Sequence, residues 1–450
     1  MFHTFKYTHK GKPYFFLWES EGGSLCKIDY AAFLVCGEKE GLLDEREKKD
    51  LAALDKKDVD EINEELSSLQ KEDIDFSKIG KFGYTDLKAM CLHICHDCNL
   101  RCKYCFASEG TYNTPRDYMS AEVGKKAIDF LIAKSGKRVN MEVDFFGGEP
   151  LLNLDAVKEI VAYARSREKE SGKKFLFTMT TNGLLLNKEA REWLNAEMEN
   201  VVISLDGRKE VHNSCRKTAN GKDVYDLIVQ NALEFRKIRG DKKYYIRGTF
   251  THDNIDFADD VLAINDLGFD QISIEPVVLE KGDPLALTDE DMPKILSEYE
   301  RLTENYIERR KGSKWFSFFH YMLDLEHGSC LKKRLTGCGA GVEYLAVTPT
   351  GDLYPCHRFT GDERFKMGTV YDDDFDRNIQ SKFASCNLTN KPDCAPCWAK
   401  YICSGGCSAN NFYFEGDMSK PYKPTCAMMR KRIELAMAIY YMEKFENKEQ

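Results

Sequence analysis

The chain has 450 residues, of which 42% are hydrophobic, and a formal net charge of −9 with both signs interspersed. At ~100–200 residues per domain, this length predicts roughly two to four globular domains, each large enough to bury a core. The mixed charge, and the lack of any apolar run near the ~18 residues that span a bilayer, argue against nucleic-acid and membrane partners.

The beginning of the sequence indicates the compartment. MFHTFKYTHKGKPYFF lacks the apolar core and the small-residue cleavage site of a signal peptide, which predicts a cytoplasmic protein. Because thiols stay reduced in the cytoplasm, clustered members of the 17 cysteines are expected to ligate metal rather than to form disulfides.

Residues 1–80 predict a small separate α+β domain. Alternating short strands (HTFKY, KPYFFLWE and LCKID) precede two helical segments, LDEREKKDLAAL and DVDEINEELSSLQK. The stretch KEDIDFSKIGKFG is expected to link this domain to the rest of the chain.

Residues 86–312 predict a central α/β domain. Six apolar runs alternate with amphipathic helices, and the runs are LKAMCLHIC, VNMEVDFF, KFLFTMTT, NVVISL, YYIRGTF and QISIEPVV. Repeated βα units form parallel sheets, so we expect a partial (β/α)6 barrel whose site lies at the carboxyl ends of its strands. A cysteine-rich domain at 330–426 and a C-terminal helix at 427–450 are expected to follow.

The segment CLHICHDCNLRCKYCF holds five cysteines, and the spacing C-x3-C-x2-C fits it twice, as Cys91-Cys95-Cys98 or as Cys98-Cys102-Cys105. The first frame starts inside an apolar run, where cysteines usually act as small buried hydrophobic residues. The second frame starts where the strand ends and continues into a loop, which is where a βα fold places ligands. We therefore expect Cys98, Cys102 and Cys105 to bind a [4Fe–4S] cube and to leave one of its irons open.

The second frame, with Tyr104 directly before its last cysteine, resembles the signature of the radical S-adenosylmethionine (SAM) enzymes. The resemblance implies that the amine and carboxylate of SAM bind the open iron, and it places Tyr104 in the cofactor site. Gly147, Gly148 and Glu149 resemble the GGE segment of the family, in which glycines let backbone carbonyls approach the SAM ammonium.

Two further motifs follow at later strand ends. Ser204 and Asp206 resemble a segment that offers a hydroxyl and a carboxylate to the cofactor, and Arg216 is placed to pair with the SAM carboxylate. Taken singly, the three motifs also fit a strand-to-helix turn, a type I turn and a surface charge. Their order behind the cysteine loop favours the cofactor site.

The region from 330 to 426 carries a second cysteine array. CAPCWAKYICSGGC has the spacing C-x2-C-x5-C-x3-C, which by itself also fits a structural zinc site. The full array resembles the seven-cysteine SPASM domain of radical SAM peptide-modifying enzymes, which carries two auxiliary [4Fe–4S] clusters. The two resemblances together imply three such clusters in the chain.

The auxiliary ligand sets are carried over from that resemblance. The first auxiliary cluster would be held by Cys338, Cys356 and Cys407, and the second by Cys394, Cys397, Cys403 and Cys426. One iron of the first auxiliary cluster then lacks a ligand within the motif. Either Cys330 supplies it, or the position is open to a substrate thiolate.

Over the whole chain, the arrangement resembles the maturases of SCIFF peptides, the six-cysteines-in-forty-five family. This likeness implies that a 5′-deoxyadenosyl radical takes hydrogen from a bound peptide and that cysteine-to-threonine thioether links form. The implied partners are a cysteine-rich ribosomal precursor peptide and a reduced electron donor such as a flavodoxin or ferredoxin. The leader of the peptide would add as a strand to a winged-helix-like N-terminal domain.

Two other functions fit parts of the sequence. A sulfatase maturase would share both cluster domains and oxidise Cys or Ser to formylglycine, but it needs no separate leader-binding domain. A zinc-binding scaffold would use the cysteine quartet structurally and do no chemistry. Independently of these two functions, the alternative to leader recognition is that the N-terminal domain is only an extension that buttresses the barrel.

The choice of cysteine frame is directly testable. Replacing Cys98, Cys102 or Cys105 by alanine should abolish 5′-deoxyadenosine formation, because each is expected to ligate the cluster that cleaves SAM. Cys91→Ala and Cys95→Ala are the matched controls and should keep the activity. Product is quantified by chromatography after anaerobic incubation with SAM and reductant. Active Cys102→Ala and Cys105→Ala proteins, beside a folded but inactive Cys91→Ala, would contradict the frame, whereas Cys98 belongs to both frames and does not distinguish them.

Overall fold

The computed structural model describes residues 1–69, 86–326 and 331–446. Its N-terminal part is an antiparallel sheet in the order β1-β2-β3, followed by helices α1 to α3. The bounds are β1 Phe2–His9, β2 Lys12–Glu19, β3 Ser24–Ile28, α1 Tyr30–Glu40, α2 Glu45–Ala52 and α3 Lys56–Leu69.

The sequence predicted the three strands and the last two helices, but it missed α1. This helix begins after Asp29, whose side chain accepts a hydrogen bond from the backbone of Ala32, and it ends at Gly41 with a φ of 68°. Its core-facing residues run consecutively, so YAAFLVCGEKE lacks a clear helical period. The predicted linker and the domain boundary at residue 80 lie in 70–85, outside the described residues.

The central sheet contains the six predicted strands, parallel and adjacent, in the order β11-β10-β8-β7-β6-β4. Their bounds are β4 Ala89–Cys95, β6 Asn140–Gly147, β7 Lys174–Thr181, β8 Asn200–Ser204, β10 Lys243–Phe250 and β11 Gln271–Pro276. In β6 and β7 every second residue is fully buried, because an alternate set of side chains faces the helices. The predicted βα series is confirmed.

Helices separate these strands. Their bounds are α4 Ala121–Lys134, α5 Leu154–Ser171, α6 Lys188–Glu197, α7 Lys209–Cys215, α8 Tyr225–Arg239, α9 Phe257–Asp266 and α10 Met292–Arg309. A small antiparallel ribbon pairs β5 (Leu100–Cys102) with β9 (Arg216–Thr218) above the sheet. The edge strand β12 (Ser317–Phe318) extends the sheet beside β11.

The cysteine-rich region joins the same sheet. Strand β13 (Tyr344–Val347) pairs in parallel with β4, and β14 (Leu353–Tyr354) continues beyond it. The remaining bounds are α11 Leu331–Thr336, α12 Arg377–Ser385, α13 Lys400–Cys403, α14 Ser408–Glu415 and α15 Lys423–Lys444. The last helix therefore begins before the predicted residue 427, and Cys426 lies in its first turn.

Within the described ranges, no helix is long and apolar enough to cross a membrane. The N-terminal sheet packs against the rest of the molecule, since Phe5, Phe16 and Trp18 belong to the same buried core as the barrel and α15. The domain is therefore docked rather than tethered.

His3 fixes this docking. Its ring stacks on Trp398 of the cysteine-rich region, with centroids 3.9 Å apart, and its two nitrogens lie 2.9 Å from Glu40 and 3.0 Å from Glu434 of α15. Burial opposes the cationic form, but the two carboxylates raise the pKa of His3 above its ordinary value. One charged side chain thus connects three parts of the chain.

The His3 junction predicts a pH-dependent contribution to stability. We expect His3→Ala to lower the free energy of unfolding by about 1–3 kcal/mol near pH 6, where the charge-assisted hydrogen bonds are intact. Because the folded pKa is raised, this contribution is complete below the unfolded pKa of about 6.5 and is lost as the pH rises through the folded value. Denaturant unfolding of both proteins across that range measures it; a difference that grows with pH would contradict the assignment.

Candidate active site

The cysteine loop follows β4. Cys91 and Cys95 lie within that strand at 1% and 0% exposure, as the sequence predicts, and the Cys95 thiol donates to the carbonyls of Asp97 and Glu149. Cys98, Cys102 and Cys105 instead line one cavity of about 240 Å³ at the carboxyl ends of the strands. Only the second frame therefore presents three thiols to a common space.

The β5-β9 ribbon sets the position of Cys102. In its register Cys102 lies opposite Arg216, and an Arg216 guanidinium nitrogen approaches the Cys102 sulfur at 3.9 Å. On the other side of the loop, the amide of Asn182 lies 3.7 Å from the Cys98 sulfur. Donors from two distant segments thus face the thiols.

Two glycines let the chain approach the loop. A Cβ at Gly148 would lie 1.8 Å from the carbonyl oxygen of Asp97, and one at Gly147, which has a φ of 121°, would lie 2.4 Å from that of Cys95. The N–H of Gly148 donates to Cys95, and that of Glu149 donates to Asp97. These glycines therefore pack the GGE segment directly against the cysteine loop, in addition to lining the cavity.

Arg216 and Asp206 form a buried bidentate ion pair. The Nε and a terminal nitrogen of Arg216 lie 2.8 and 3.1 Å from the two carboxylate oxygens, and Asp206 is 1% exposed. Asp206 also accepts from the Tyr104 hydroxyl at 2.6 Å and from the backbone N–H of Thr249 at 3.0 Å. Burial opposes its ionisation, yet Arg216, His212 and Tyr104 hold the pKa of Asp206 below its ordinary value.

These contacts give the predicted cofactor residues different positions. Tyr104, Ser204 and Arg216 line the cavity, whereas Asp206 lies behind Arg216 and holds its guanidinium in place. Direct contact between Asp206 and SAM remains a prediction.

Glu149 is also fully buried behind the cavity wall. Its carboxylate accepts from Thr181 and from the backbone N–H groups of Asn182 and Leu151, at 2.7 to 3.1 Å. Burial raises the pKa of Glu149 to about 7. The side chain thus joins the ends of β6 and β7, and its predicted contact with the cofactor stays untested.

Sequence reasoning missed several residues of the cavity. They come from two strands and from the residues after Cys356, and they are Arg247, Thr249, Glu275, His357 and Arg358. Polar residues within apolar strand runs, as in YYIRGTF and QISIEP, were the available signal for Arg247 and Glu275. His357 and Arg358 had no such signal, because only the tertiary structure brings the cysteine-rich region to the barrel.

Glu275 belongs to a charged network on the cavity wall. His320 lies 3.3 Å from its carboxylate, and Arg432 of α15 donates to the other ring nitrogen of His320 at 2.8 Å. Although burial favours the neutral acid, His320, Arg247 and Arg432 hold the pKa of Glu275 well below its ordinary value. The cavity therefore contains a fixed anion as well as the Arg216 cation.

Seven cysteines of the cysteine-rich region lie in two groups. Burial raises the pKa of Cys356 to about 12, and the adjacent thiols of Cys407 and Cys338 add to this rise. Burial likewise raises the pKa of Cys394 to about 11, with Cys403, Cys426 and Cys397 as its neighbours. Cys356 thus lies near Cys338 and Cys407, and Cys394 lies near Cys397, Cys403 and Cys426. The assignment of these sets to two clusters stays a prediction, and Cys330 lies outside the described residues.

The donor sets fit iron–sulfur clusters. Among the described residues, no group of three or more His, Cys, Asp or Glu side chains is arranged around a single metal ion. The cysteine sulfurs around a [4Fe–4S] cube lie farther apart than ligands of a single metal ion, because each cysteine binds a different iron. Burial raises the pKa of Cys98 to about 12 and that of Cys102 to about 11, and cluster binding would replace the protons of these two thiols with iron. Individual ligand assignments remain predictions.

The chain matches known families in both cysteine regions. Residues 92–256 match the Radical SAM superfamily, and residues 338–398 match the SPASM iron–sulfur cluster-binding domain. A cysteine-type anaerobic sulfatase-maturating enzyme from Clostridium perfringens (strain 13 / Type A) is 25% identical over 332 residues, which cover 69% of this chain and 85% of that protein.

Two solved structures are similar in fold. Native anSMEcpe with bound AdoMet and Kp18Cys peptide aligns with a TM-score of 0.66 and 21% identity, covering 78% of this chain and 97% of that one. Streptococcus suis SuiB bound to S-adenosylmethionine aligns with a TM-score of 0.53 and 17% identity, covering 90% and 95%.

The chain is a radical SAM enzyme with a SPASM domain, related to the anaerobic sulfatase-maturating enzymes and to peptide maturases. Its cofactors are SAM and iron–sulfur clusters, which the cavity and the cysteine groups are suited to hold. The predicted fold class is confirmed: an α/β partial barrel with a small N-terminal domain and a C-terminal SPASM domain.

The Arg216–Asp206 pair predicts a specific defect in cofactor binding. Asp206→Asn keeps the shape but removes the charge that orients Arg216, so SAM affinity should fall roughly 10- to 100-fold, as for other residues that position a ligand-binding group. Equilibrium dialysis with labelled SAM measures the change, and iron content should stay at the wild-type value. Ser166→Ala, on the exposed face of α5, is the control. Wild-type affinity in Asp206→Asn would show that the pair does not position the cofactor.

Proposed function

We propose that this enzyme forms thioether cross-links in a cysteine-rich ribosomal peptide, joining a cysteine sulfur to a threonine or similar acceptor. When bound, SAM and a reduced catalytic cluster would supply a 5′-deoxyadenosyl radical, and an oxidised auxiliary cluster would accept the one electron released as the C–S bond forms. The peptide loses one hydrogen atom from the acceptor carbon and one proton from the thiol.

The N-terminal domain is the observation that carries the proposal. The alignment with anSMEcpe includes 97% of that chain but leaves more than a fifth of this one without a counterpart, since it covers 78%. The SuiB alignment covers 90% of this chain and 95% of that one. This chain is thus longer than the part that aligns with the sulfatase maturase. We take the added length as support for an enzyme that first recognises a separate segment of its peptide.

The edge of the N-terminal sheet suits such recognition. β3 is the last strand of its sheet in the described part of the chain, and most of its residues are exposed. The opposite edge of the sheet is β1, and the N–H of Thr4 in this strand already donates to the Glu40 carboxylate at 2.7 Å. An extended leader that pairs with β3 would form backbone hydrogen bonds with it, and every second side chain of the leader would contact the domain and provide specificity.

A second cavity supports a path for the peptide. This cavity, of about 590 Å³, adjoins the cysteine-lined cavity and shares Phe106, Val278, His357 and Arg358 with it. His357 stacks on Phe146 at 5.1 Å, and the Arg358 guanidinium lies 5.1 Å from the centre of the Phe106 ring. We assign this aromatic and cationic wall to the peptide segment that flanks the reacting residue.

The side chains of the site are assigned either to SAM binding or to cluster ligation. Arg216, held by Asp206, is assigned to the SAM carboxylate, and Ser204 and Tyr104 to the same cofactor site. Cys98, Cys102 and Cys105 are assigned to the cluster that cleaves SAM. The sets Cys338, Cys356, Cys407 and Cys394, Cys397, Cys403, Cys426 are assigned to two auxiliary clusters, which makes three in all.

Oxidation of a sulfatase Cys or Ser to formylglycine is the second candidate. It is favoured by the sulfatase-maturating relative, which is 25% identical to this chain over 332 residues. Both reactions need the same cofactor site. In either case we assign the enzyme to the cytoplasm, where a flavodoxin or ferredoxin would reduce it.

The two candidates give different products. After anaerobic incubation with enzyme, SAM and reductant, a cysteine-rich peptide encoded next to the gene should lose two hydrogen atoms per link and become resistant to iodoacetamide at the linked cysteine. Fragmentation in the mass spectrometer should fail between the linked residues. A product that instead reacts with a hydrazide, at the aldehyde, would replace the thioether proposal with formylglycine formation.

Leader recognition is tested on the peptide, because the docked N-terminal domain shares its core with the barrel and its deletion would expose apolar surface. Scrambling the leader while keeping the core sequence should lower cross-linking by at least tenfold and leave uncoupled 5′-deoxyadenosine formation unchanged. Equal cross-linking of native and scrambled peptides would show that the N-terminal domain does not recognise the leader and only supports the barrel.

A further inference from the structure

Lys391 is a buried lysine between the two cysteine groups of the SPASM domain. It is 1% exposed, and its ammonium donates to the carbonyl of Gly405 at 2.8 Å. Within the described part of the chain, Lys391 forms no ion pair with a carboxylate. Burial of an unpaired cation costs several kcal/mol, so such a residue requires a counter-ion.

The chain holds Lys391 against both groups. Its carbonyl accepts from the N–H of Cys394, the first cysteine of the second group, at 2.9 Å. Gly405, which receives the ammonium, lies in sequence midway between Cys403 of the second group and Cys407 of the first. The loop that receives the ammonium also approaches the first group, because a Cβ on Gly337, the residue before Cys338, would lie 3.5 Å from the Cβ of Ser404, the residue before Gly405.

The local backbone keeps this position open. Ser404, Gly405 and Gly406 all have positive φ angles, of 61°, 81° and 75°. A Cβ on Gly405 would lie 2.7 Å from Cδ and 2.9 Å from Nζ of Lys391. A side chain at 405 would therefore push the ammonium away from the two cysteine groups.

We propose that Lys391 is the shared counter-ion of the two auxiliary clusters and that its fixed charge raises their reduction potentials. Thiolate-ligated clusters carry net negative charge, which supplies the partner that the ammonium lacks, and net charge is one determinant of cluster potential. Reduction adds one electron to a cluster, and a buried cation at short range favours the more negative, reduced state. This role rests on the proposed function, in which these clusters accept the electron released by the peptide.

The proposal is tested by redox titration of the reconstituted full-length protein without peptide. A Cys98→Ala, Cys102→Ala, Cys105→Ala background removes the catalytic cluster, so electron paramagnetic resonance reports the auxiliary clusters alone, with roughly eight irons per chain. In Lys391→Met, the reduction equilibrium constant of at least one cluster should fall tenfold or more, which is a potential lower by about 59 mV. Lys391→Arg keeps the charge and should restore the potential.

Lys423→Met is the matched control. Lys423 precedes Cys426 by three residues, as Lys391 precedes Cys394, but it is 69% exposed and paired with Asp393 at 2.8 Å. Solvent screening should leave its effect well below tenfold.

Each outcome decides the proposal. Unchanged potentials in a fully loaded Lys391→Met, or an equal fall in Lys391→Arg, would overturn it. If Lys391→Met fails to retain iron, full retention by Lys391→Arg supports the counter-ion role, and loss in both variants rejects it. If the wild-type protein binds no auxiliary clusters, the proposed function is overturned. If the clusters have the expected potentials but the wild-type enzyme forms no cross-link, the proposed function is also overturned, while the role of Lys391 stands.

Discussion

The parallel pairing of β13 with β4 is the constraint on which the functional arrangement depends. Backbone hydrogen bonds along Tyr344–Val347 and Ala89–Leu92 make the cysteine-rich region part of the barrel sheet rather than a separate appendage. The same strand β4 leads into the loop of Cys98. Both cysteine regions are therefore positioned by one strand, and His357, next to Cys356, reaches the cavity where it stacks on Phe146.

The polarity of the cavity depends on buried charges that other residues hold in place. Arg216 faces the cavity because Asp206, itself fixed by Tyr104 and Thr249, takes two of its hydrogen bonds. Glu275 stays anionic through His320, which Arg432 orients from the last helix. Removing one partner of the buried Arg216–Asp206 pair would cost several kcal/mol, so both positions are sensitive even where they do not touch a substrate.

The helix α15 connects the three parts of the molecule. Its first turn carries Cys426, its middle supplies Glu434 to His3 and Arg432 to His320, and its buried face joins the common core. A peptide held at the N-terminal sheet would thus lie on a scaffold that is continuous with both cluster regions. This continuity fits a maturase that recognises one segment of its substrate and modifies another.

The parallel strand series could be predicted from the sequence alone, and the structure confirms it. The sequence also predicts Cys98, Cys102 and Cys105 as ligands in preference to the buried Cys91 frame, and it predicts the grouping of the later cysteines; as ligand sets, these stay predictions. These follow from local rules, since apolar period sets strands and spacing near strand ends sets loops. Four features became visible only in the folded chain. Asp206 holds Arg216, Glu149 connects two strand ends, and α1 forms after β3. The fourth is the cavity lining by Arg247, Glu275, His357 and Arg358. Those facts depend on contacts between residues distant in the chain, and the free energy that selects such contacts comes from burial and charge pairing, which no local pattern encodes.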